Sequence, residues 1–255
     1  MDKKTFRDVL ISCTCFILAM LLTSFWIDKK MDKTNSKTTS VVQSGSKKVM
    51  YLTFDDGPSK HTQEVLDILD KYKVKATFFV TGTNKEYYNM INKESENGHS
   101  VGVHTFSHSY DKIYANTTAY FADLEKMNEL IAQQTGSKAT FMRFPGGSSN
   151  TVSRKYQNGI MSTLTKEMSA KGYQYYDWNA SNGDGNCYLS SERLVAQATK
   201  EVGNKQEVMM LMHDGTGNKS SVEALPSILE NMLAKGYEFK IINNDTPVFH
   251  HHIAN

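Results

Sequence analysis

Cysteine is scarce in this chain: there are three in 255 residues, and Cys13 and Cys15 both fall in an apolar N-terminal run. Only Cys187 is left for the folded part, which excludes an intradomain disulfide and leaves both a reducing compartment and an exported, disulfide-free protein open. An excess of charge is missing too. Lys and Arg number 29 against 27 Asp and Glu, a formal net charge of +2. No basic cluster is interleaved with aromatics, so nucleic acid is not expected as a partner. There is no internal repeat. No His-Glu-x-x-His occurs, which removes one metalloprotease pattern. What is present, 39% hydrophobic and 22% charged residues, is the balance of a folded globular chain long enough for one domain with a substantial core.

From Val9 to Ile27 the sequence carries no charge and is flanked by Lys3, Lys4 and Arg7 on one side and Asp28-Lys29-Lys30 on the other. At ~1.5 Å per residue, about 19 residues just span a ~30 Å hydrocarbon layer. The run is read as an uncleaved anchor, with a cleaved signal peptide as the alternative; no convincing A-x-A-like cleavage site follows it. The flanking lysines are balanced and do not fix orientation. Residues 28–47, rich in Lys, Ser, Thr and Asn, read as a flexible tether with a reach on the order of 25 Å. The expected organisation is therefore 1–27 N-terminus and anchor (or signal), 28–47 linker, 48–245 folded domain and 246–255 tail.

Beyond the tether, strand-like runs alternate with stretches of helical periodicity. Val49–Phe54, Ala76–Val80, Ser100–Val103, Thr140–Met142, Tyr173–Tyr176, Glu207–Met212 and Tyr237–Ile242 are the strand candidates. Helices are expected around Gln63–Leu69, through Met90 and Ile91, over Tyr120–Gln134, up to Lys171-Gly172, and over Val222–Lys235. This alternation predicts an α/β fold with a parallel sheet covered by helices, open or closed into a barrel.

The reactive residues follow the strands directly: Asp55 and Asp56 after Phe54, His104 after Val103, Arg143 after Met142, Asp177 after Tyr176 and His213 after Met212. In a parallel α/β fold these positions share the C-terminal edge of the sheet, where such folds build active sites. His104 and His108, four residues apart, would share a face on one helical turn and reach a common metal. Two adjacent carboxylates beside buried β structure repel each other unless a cation or arginine balances them. One carboxylate and two histidines give three protein ligands and leave positions for water and substrate, the catalytic pattern.

Thr53-Phe54-Asp55-Asp56-Gly57-Pro58 resembles the signature of NodB-like polysaccharide deacetylases (carbohydrate esterase family 4). His104-Thr105-Phe106-Ser107-His108, Arg143-Phe144-Pro145 and Leu211-Met212-His213 are similar to further motifs of that family, in the family's order, over roughly Met50 to Ile242. The resemblance implies a distorted (β/α) barrel of the NodB-homology type. It also implies a divalent ion, zinc or a similar ion such as cobalt, held by Asp56, His104 and His108. Asp55 would be general base, His213 general acid, and Arg143 the partner of Asp55. Pro145, Gly146 and Leu211 would line the substrate and oxyanion pocket, with a backbone N–H at Gly146 helping to hold the oxyanion.

Two positions depart from the family pattern. Gly146-Gly147 stands where the third motif continues with tyrosine. In Asp177-Trp178-Asn179-Ala180-Ser181-Asn182-Gly183-Asp184-Gly185, Asp184 is taken as the partner of His213 with Gly185 in place of tryptophan, and Asp177 is a second candidate. The implied activity is removal of acetyl groups from an N-acetylated glycan, with peptidoglycan N-acetylglucosamine as first expectation. Chitin-like or poly-N-acetylglucosamine polymers, N-acetylmuramic acid, or an impaired wall-binding protein on this scaffold, are the alternatives. A non-haem iron oxygenase shares the ligand set but not the paired carboxylates. A monomer is expected, held at the cell membrane by one span with the catalytic domain outside the cytoplasm, or secreted. Bland roles are expected for His99 (packing near a strand entrance), His61 (the loop or first helical turn after the first strand), Cys187 (a small buried hydrophobe) and His250-His251-His252 (a solvated tail).

Overall fold

The structure is a computed structural model that describes residues 47–255. The expected anchor and nearly all of the tether lie outside the described residues. Among those described, no helix is long and apolar enough to cross a membrane.

The central strand β1 (Lys48–Asp55) is buried along almost its whole length. Its alternate residues face two different layers, as the period of two requires. Met50, Leu52 and Phe54 enter the large core beneath the helices. Val49 and Tyr51 face the other way, into a smaller cluster with Phe79, Phe141, Tyr176, Met209 and Ile242. Both faces being covered, the strand reads as a near-continuous apolar run.

Seven further strands join it: β2 (Thr77–Thr81), β3 (Ser100–Thr105), β4 (Phe141–Met142), β5 (Gln174–Tyr175), β6 (Ala180–Ser181), β7 (Glu207–His213) and β8 (Tyr237–Lys240). The order is β5-β4-β3-β2-β1-β7-β6, with β8 paired to β1, and every pairing is parallel. Because β7 takes one edge of β1 throughout, β8 and β2 share the other: β8 along Lys48–Tyr51, β2 along Thr53–Asp55. The sheet curls into a half-barrel whose ends are β5 and β6, so the expected barrel is not closed by strand pairing. Tyr176–Asn179 crosses between those ends outside the ladder.

The helices are α1 (Thr62–Lys71), α2 (Tyr88–Glu96), α3 (Tyr110–Ile113), α4 (Thr117–Thr135), α5 (Ile160–Ala170), α6 (Ser191–Val202) and α7 (Lys219–Ala234). They form where apolar residues recur at helical spacing, as in Val65, Leu66 and Leu69 on α1. The α4 N-terminus is capped by Asn116, whose Oδ1 accepts the Ala119 N–H at 2.8 Å, and the helix stops at Gly136 with φ +84°. The structure adds α3, α6 and β6 to the elements the sequence pattern predicts.

The concave face is layered. At its floor Phe79 and Phe141 meet edge-on at 5.7 Å, and Phe141 and Tyr176 at 6.2 Å. A Cβ on Gly102 would lie 2.4 Å from the Phe141 ring, so only glycine fits beneath it. Further along this face come Thr53 and Arg143, joined by a hydrogen bond, and then Asp55, His104 and His213 at the strand ends. The β1–β7 register sets Asp55 directly opposite His213.

The last ten residues are not a solvated tail. Phe249 O accepts the Asp177 N–H at 2.7 Å, the His250 ring stacks on Tyr175 at 3.8 Å, and Asn255 is buried against Ser153, Gly159 and Ser162. The strap covers β5 at the open end of the sheet.

Candidate active site

Asp55 ends β1, and Asp56 follows it with φ +70°. In an extended strand, neighbouring residues face opposite sides; the left-handed Asp56 breaks that rule. Both carboxylates consequently approach the same atom, His104 Nε2, which lies 3.8 Å from Asp55 Oδ2 and 3.4 Å from Asp56 Oδ1. His108 also has a left-handed backbone, φ +48°. Such conformations cost of order 1 kcal/mol each outside glycine and gather at functional sites. His104 lies near the end of β3 and His108 in the loop beyond, so the pair does not share a helical turn as expected. The left-handed bend brings the rings to 5.2 Å.

Asp56, His104 and His108 each offer a ligand atom, all within 4.8 Å of one another. His104 Nδ1 lies 2.8 Å from the Arg143 carbonyl, which fixes the proton on Nδ1 and leaves the Nε2 lone pair for a ligand. His108 Nε2 is 3.2 Å from Asp56 Oδ1. These contacts lack the alignment of hydrogen bonds, and Asp56 Oδ1 is buried without a donor. Acceptors converging on a buried acceptor are what a divalent cation satisfies, and the set of one oxygen and two imidazoles suits zinc or a similar ion.

The electrostatics agree with that crowding. Burial pushes the Asp56 carboxyl up, but the His104 ring and the charges of His108 and His213 outweigh it and hold the group well below the usual range. Burial pushes His104 down, yet the Asp55 and Asp56 carboxylates raise it on balance. His108 is lowered, by burial and then by the His104 charge.

Arg143 is fully buried and makes a dense set of bonds. Its Nη1 donates to Asp55 Oδ1 at 2.8 Å and to Thr53 Oγ1 at 2.7 Å, Nε to Tyr176 O at 3.0 Å, and Nη2 to Asp177 O at 3.1 Å. The guanidinium carbon sits 4.3 Å from the Phe79 ring centroid. Removing a guanidinium from water costs several kcal/mol, which only such complete pairing offsets.

His213 ends β7, and its Nδ1 is 2.7 Å from Asp184 Oδ1. Asp184 Oδ2 accepts the His213 backbone N–H at 2.8 Å and the Ser221 hydroxyl. Burial lowers the His213 pKa, the Asp184 hydrogen bond and charge raise it, and the net places it at about 9. Asp177, the other candidate partner, is engaged elsewhere: its carboxylate accepts the Ser148 N–H at 2.8 Å, the Ser148 hydroxyl and the His251 N–H at 2.8 Å.

Pro145 and Gly146 lie in the turn after Arg143. Tyr114 Oη and Asn150 Nδ2 donate to the Pro145 carbonyl at 2.7 and 3.2 Å. Gly146 has φ +76°. Leu211 lies on the concave face two residues before His213, opposite Thr53. A polar groove of about 300 Å³ extends from Asp56 and His108 past Thr83, Asn84, Thr216 and Asn218. A depression near Tyr51, Lys75 and Lys240 is remote from these groups, towards the other end of the strands.

Several residues outside the sequence motifs shape the site. Asp123 on α4 accepts the Phe106 N–H at 2.6 Å and the Ser107 N–H at 3.1 Å, tying down the loop that carries His108. Asp214 is buried behind Asp56; its Oδ2 accepts the Thr62 hydroxyl, and a Cβ on Gly57 would lie 2.4 Å from its Oδ1. Burial pushes the Asp214 carboxyl up to about 7. A buried aspartate next to a ligand loop carries no local sequence signal.

His99 has the packing role expected, accepting the Ala76 N–H at 3.1 Å with burial lowering it to about 4. His61 precedes α1, with Nε2 3.2 Å from Thr216 O. Cys187 is exposed rather than buried, because it sits in the turn after Asp184 with no apolar element over it.

A parallel α/β sheet that gathers an arginine-paired carboxylate, a carboxylate-paired imidazole and a cluster able to hold a metal ion at one edge has the layout of a hydrolytic enzyme. Residues 42–162 match the family model described as polysaccharide deacetylase. The chain is 32% identical over 217 residues to a peptidoglycan-N-acetylglucosamine deacetylase of Bacillus cereus, covering 83% of this chain and 76% of that one. It is 30% identical to a peptidoglycan-N-acetylmuramic acid deacetylase of Bacillus subtilis, covering 77% and 71%. The crystal structure of the catalytic domain of a Eubacterium rectale peptidoglycan N-acetylglucosamine deacetylase superposes with a TM-score of 0.80 at 45% identity, over 87% of this chain and all (100%) of that one. The chain belongs to the polysaccharide deacetylase family and is a hydrolase of that class.

Proposed function

We propose that this protein removes the acetyl group from N-acetylglucosamine residues of peptidoglycan in a metal-dependent hydrolysis that releases acetate. The observation that carries the reading is the placing of two charge-paired groups, Asp55 on Arg143 and His213 on Asp184, beside the Asp56–His104–His108 cluster. Peptidoglycan is favoured over other N-acetylated glycans by the relatives' substrates. The apolar run at 9–27 supports a membrane-held enzyme working on the adjacent wall.

Amide hydrolysis needs a base for the attacking water, stabilisation of the oxyanion and an acid for the amine, which leaves poorly unless protonated. Asp55 is the base: its Oδ1 is held by Arg143, and its Oδ2 faces the cluster. Asp56, His104 and His108 would hold a divalent ion, which when bound polarises the carbonyl and acidifies water. The Gly146 N–H is the oxyanion donor. Two donors fix the Pro145 carbonyl, and the trans peptide turns the next N–H to the opposite side. His213, kept protonated by Asp184, gives its proton to the departing amine.

The test is acetate release from muropeptides and from chito-oligosaccharides by the full chain, with mass spectrometry of the sugars. A loss of about 42 Da per modified sugar is expected, abolished by Asp55→Asn. Release from neither substrate, or release undiminished in that variant, overturns the reading.

A further inference from the structure

We propose that the Tyr110 hydroxyl is a second hydrogen-bond donor to the reacting acetamide oxygen, working beside the Gly146 N–H; this rests on the deacetylase reading above. Tyr110 opens α3 just past His108, and its ring meets the His108 ring edge-on at 5.9 Å. On its other side it packs against Tyr114 at 5.3 Å, and Tyr114 packs in turn against Tyr120 at 5.7 Å. Tyr114 is also the residue whose hydroxyl fixes the Pro145 carbonyl. The tyrosine is thereby wedged between a ligand histidine and the loop that supplies the oxyanion N–H.

The hydroxyl comes to a definite place. A Cβ at Gly146 would lie 2.6 Å from Tyr110 Oη, closer than any real contact allows. Together with φ +76°, this makes glycine the residue position 146 can accept, and it puts a phenol oxygen over the Gly146 backbone where a side chain would otherwise stand. Among the described residues no hydrogen-bond partner engages this hydroxyl, although the residue is only partly exposed. The neighbouring Tyr114 hydroxyl, by contrast, is bonded to a carbonyl. A phenol O–H is a donor at neutral pH. Held by packed rings, it loses little entropy on binding, which is the condition for a preorganised oxyanion contact.

The experiment compares wild type, Tyr110→Phe and Tyr110→Leu as full chains loaded with zinc, on one chito-oligosaccharide. Wild-type turnover tests the deacetylase reading by itself. Given that turnover, Tyr110→Phe should lower kcat by about 10²-fold with KM nearly unchanged, as expected for loss of one oxyanion donor. Zinc stoichiometry and Tm should stay at wild-type values, and Tyr110→Leu should add little further loss of kcat. Unchanged kcat overturns the proposal. So does a rise in KM at constant kcat, which assigns the hydroxyl to ground-state sugar binding. Lost zinc or a lowered Tm in the Phe variant assigns the tyrosine to packing and overturns it equally.

Discussion

Asp184 grips His213 at two points, the ring Nδ1 at 2.7 Å and the backbone N–H at 2.8 Å. One carboxylate thus sets both the proton affinity of the imidazole and its direction. With the His213 pKa at about 9, the acid form is present through neutrality and is lost as pH rises through that value. The pH profile of kcat/KM should therefore be level near neutrality and fall above about 9. Asp184→Asn keeps the shape but removes the charge, so the alkaline limb should move down by more than about one unit, and turnover at neutral pH should fall roughly 10²-fold. An alkaline limb unmoved by the substitution excludes His213 as the acid.

Asp56 Oδ1 has no donor although it is buried, and a divalent cation held with His104 and His108 would satisfy it. Chelation should abolish acetate release and also lower Tm, because an ion bound only by the folded state stabilises it by about 2.7 kcal/mol at a hundredfold excess over Kd. His108→Ala should remove both effects of added zinc, activity and Tm. Asp123→Ala should weaken zinc binding on the order of tenfold without touching a ligand, since it frees the Phe106-Ser107 amides. Isothermal titration with zinc on the three proteins checks the order.

The sheet and the gathering of most candidate site residues at one edge are legible in the sequence because both depend on short-range pattern. Apolar runs of strand length stop abruptly at Asp55, His104, Arg143 and His213, and a parallel sheet brings such stops to one edge. The helix α6 is absent from the predicted elements although Leu194, Ala198 and Val202 recur at a spacing of four, because the preceding glycine-rich stretch reads as loop. What is not legible is set by contacts distant in sequence or by backbone conformation. Asp123 reaches back 17 residues, His251 bonds Asp177 across 74, and Thr62 meets Asp214 across 152. The left-handed bends at Asp56 and His108 leave no mark in the residue pattern, which by its spacing of four predicts a helical turn for the two histidines.

Arg143 is the buried cation on which this arrangement leans. Arg143→Met should destabilise by about 3–5 kcal/mol, because Asp55 is left buried without its partner. Arg143→Lys should recover only part of that: an ammonium cannot reach Asp55, Thr53, Tyr176 O and Asp177 O in the fixed planar fork. Urea unfolding gives the energies. A lysine variant as stable as wild type shows that charge alone suffices.

Asp214 should imprint a pH dependence on stability. Its folded pKa, about 7, lies above the ordinary 3.8, so the native state binds the proton more tightly than the unfolded chain. The resulting contribution is fully present below 3.8 and is lost as pH rises through about 7. Asp214→Asn, which cannot ionise and can still accept from Thr62, should gain stability relative to wild type between about pH 4 and 8, by up to a few kcal/mol. Parallel unfolding curves at the two pH values, with no growing gap, contradict it.

The C-terminal strap links the open edge of the sheet to the turn of residues 145–148, the proposed oxyanion turn. His251 donates its backbone N–H to Asp177 Oδ2, its ring Nδ1 lies 3.1 Å from Ser149 Oγ, and Nε2 lies 2.7 Å from Trp178 O. Asp177 in turn fixes the Ser148 N–H, two residues beyond Gly146. The strap therefore acts on the loop that would hold the oxyanion and touches none of the proposed metal ligands. His251→Ala should lower kcat several-fold and leave zinc affinity at the wild-type value. Deletion of residues 246–255 should do so more severely, with a lower Tm, because Asn255 and the His250–Tyr175 stack are lost as well. Calorimetric zinc binding alongside kinetics separates the two effects. Zinc affinity falling in step with kcat shows that the strap supports the whole edge of the sheet rather than the oxyanion turn.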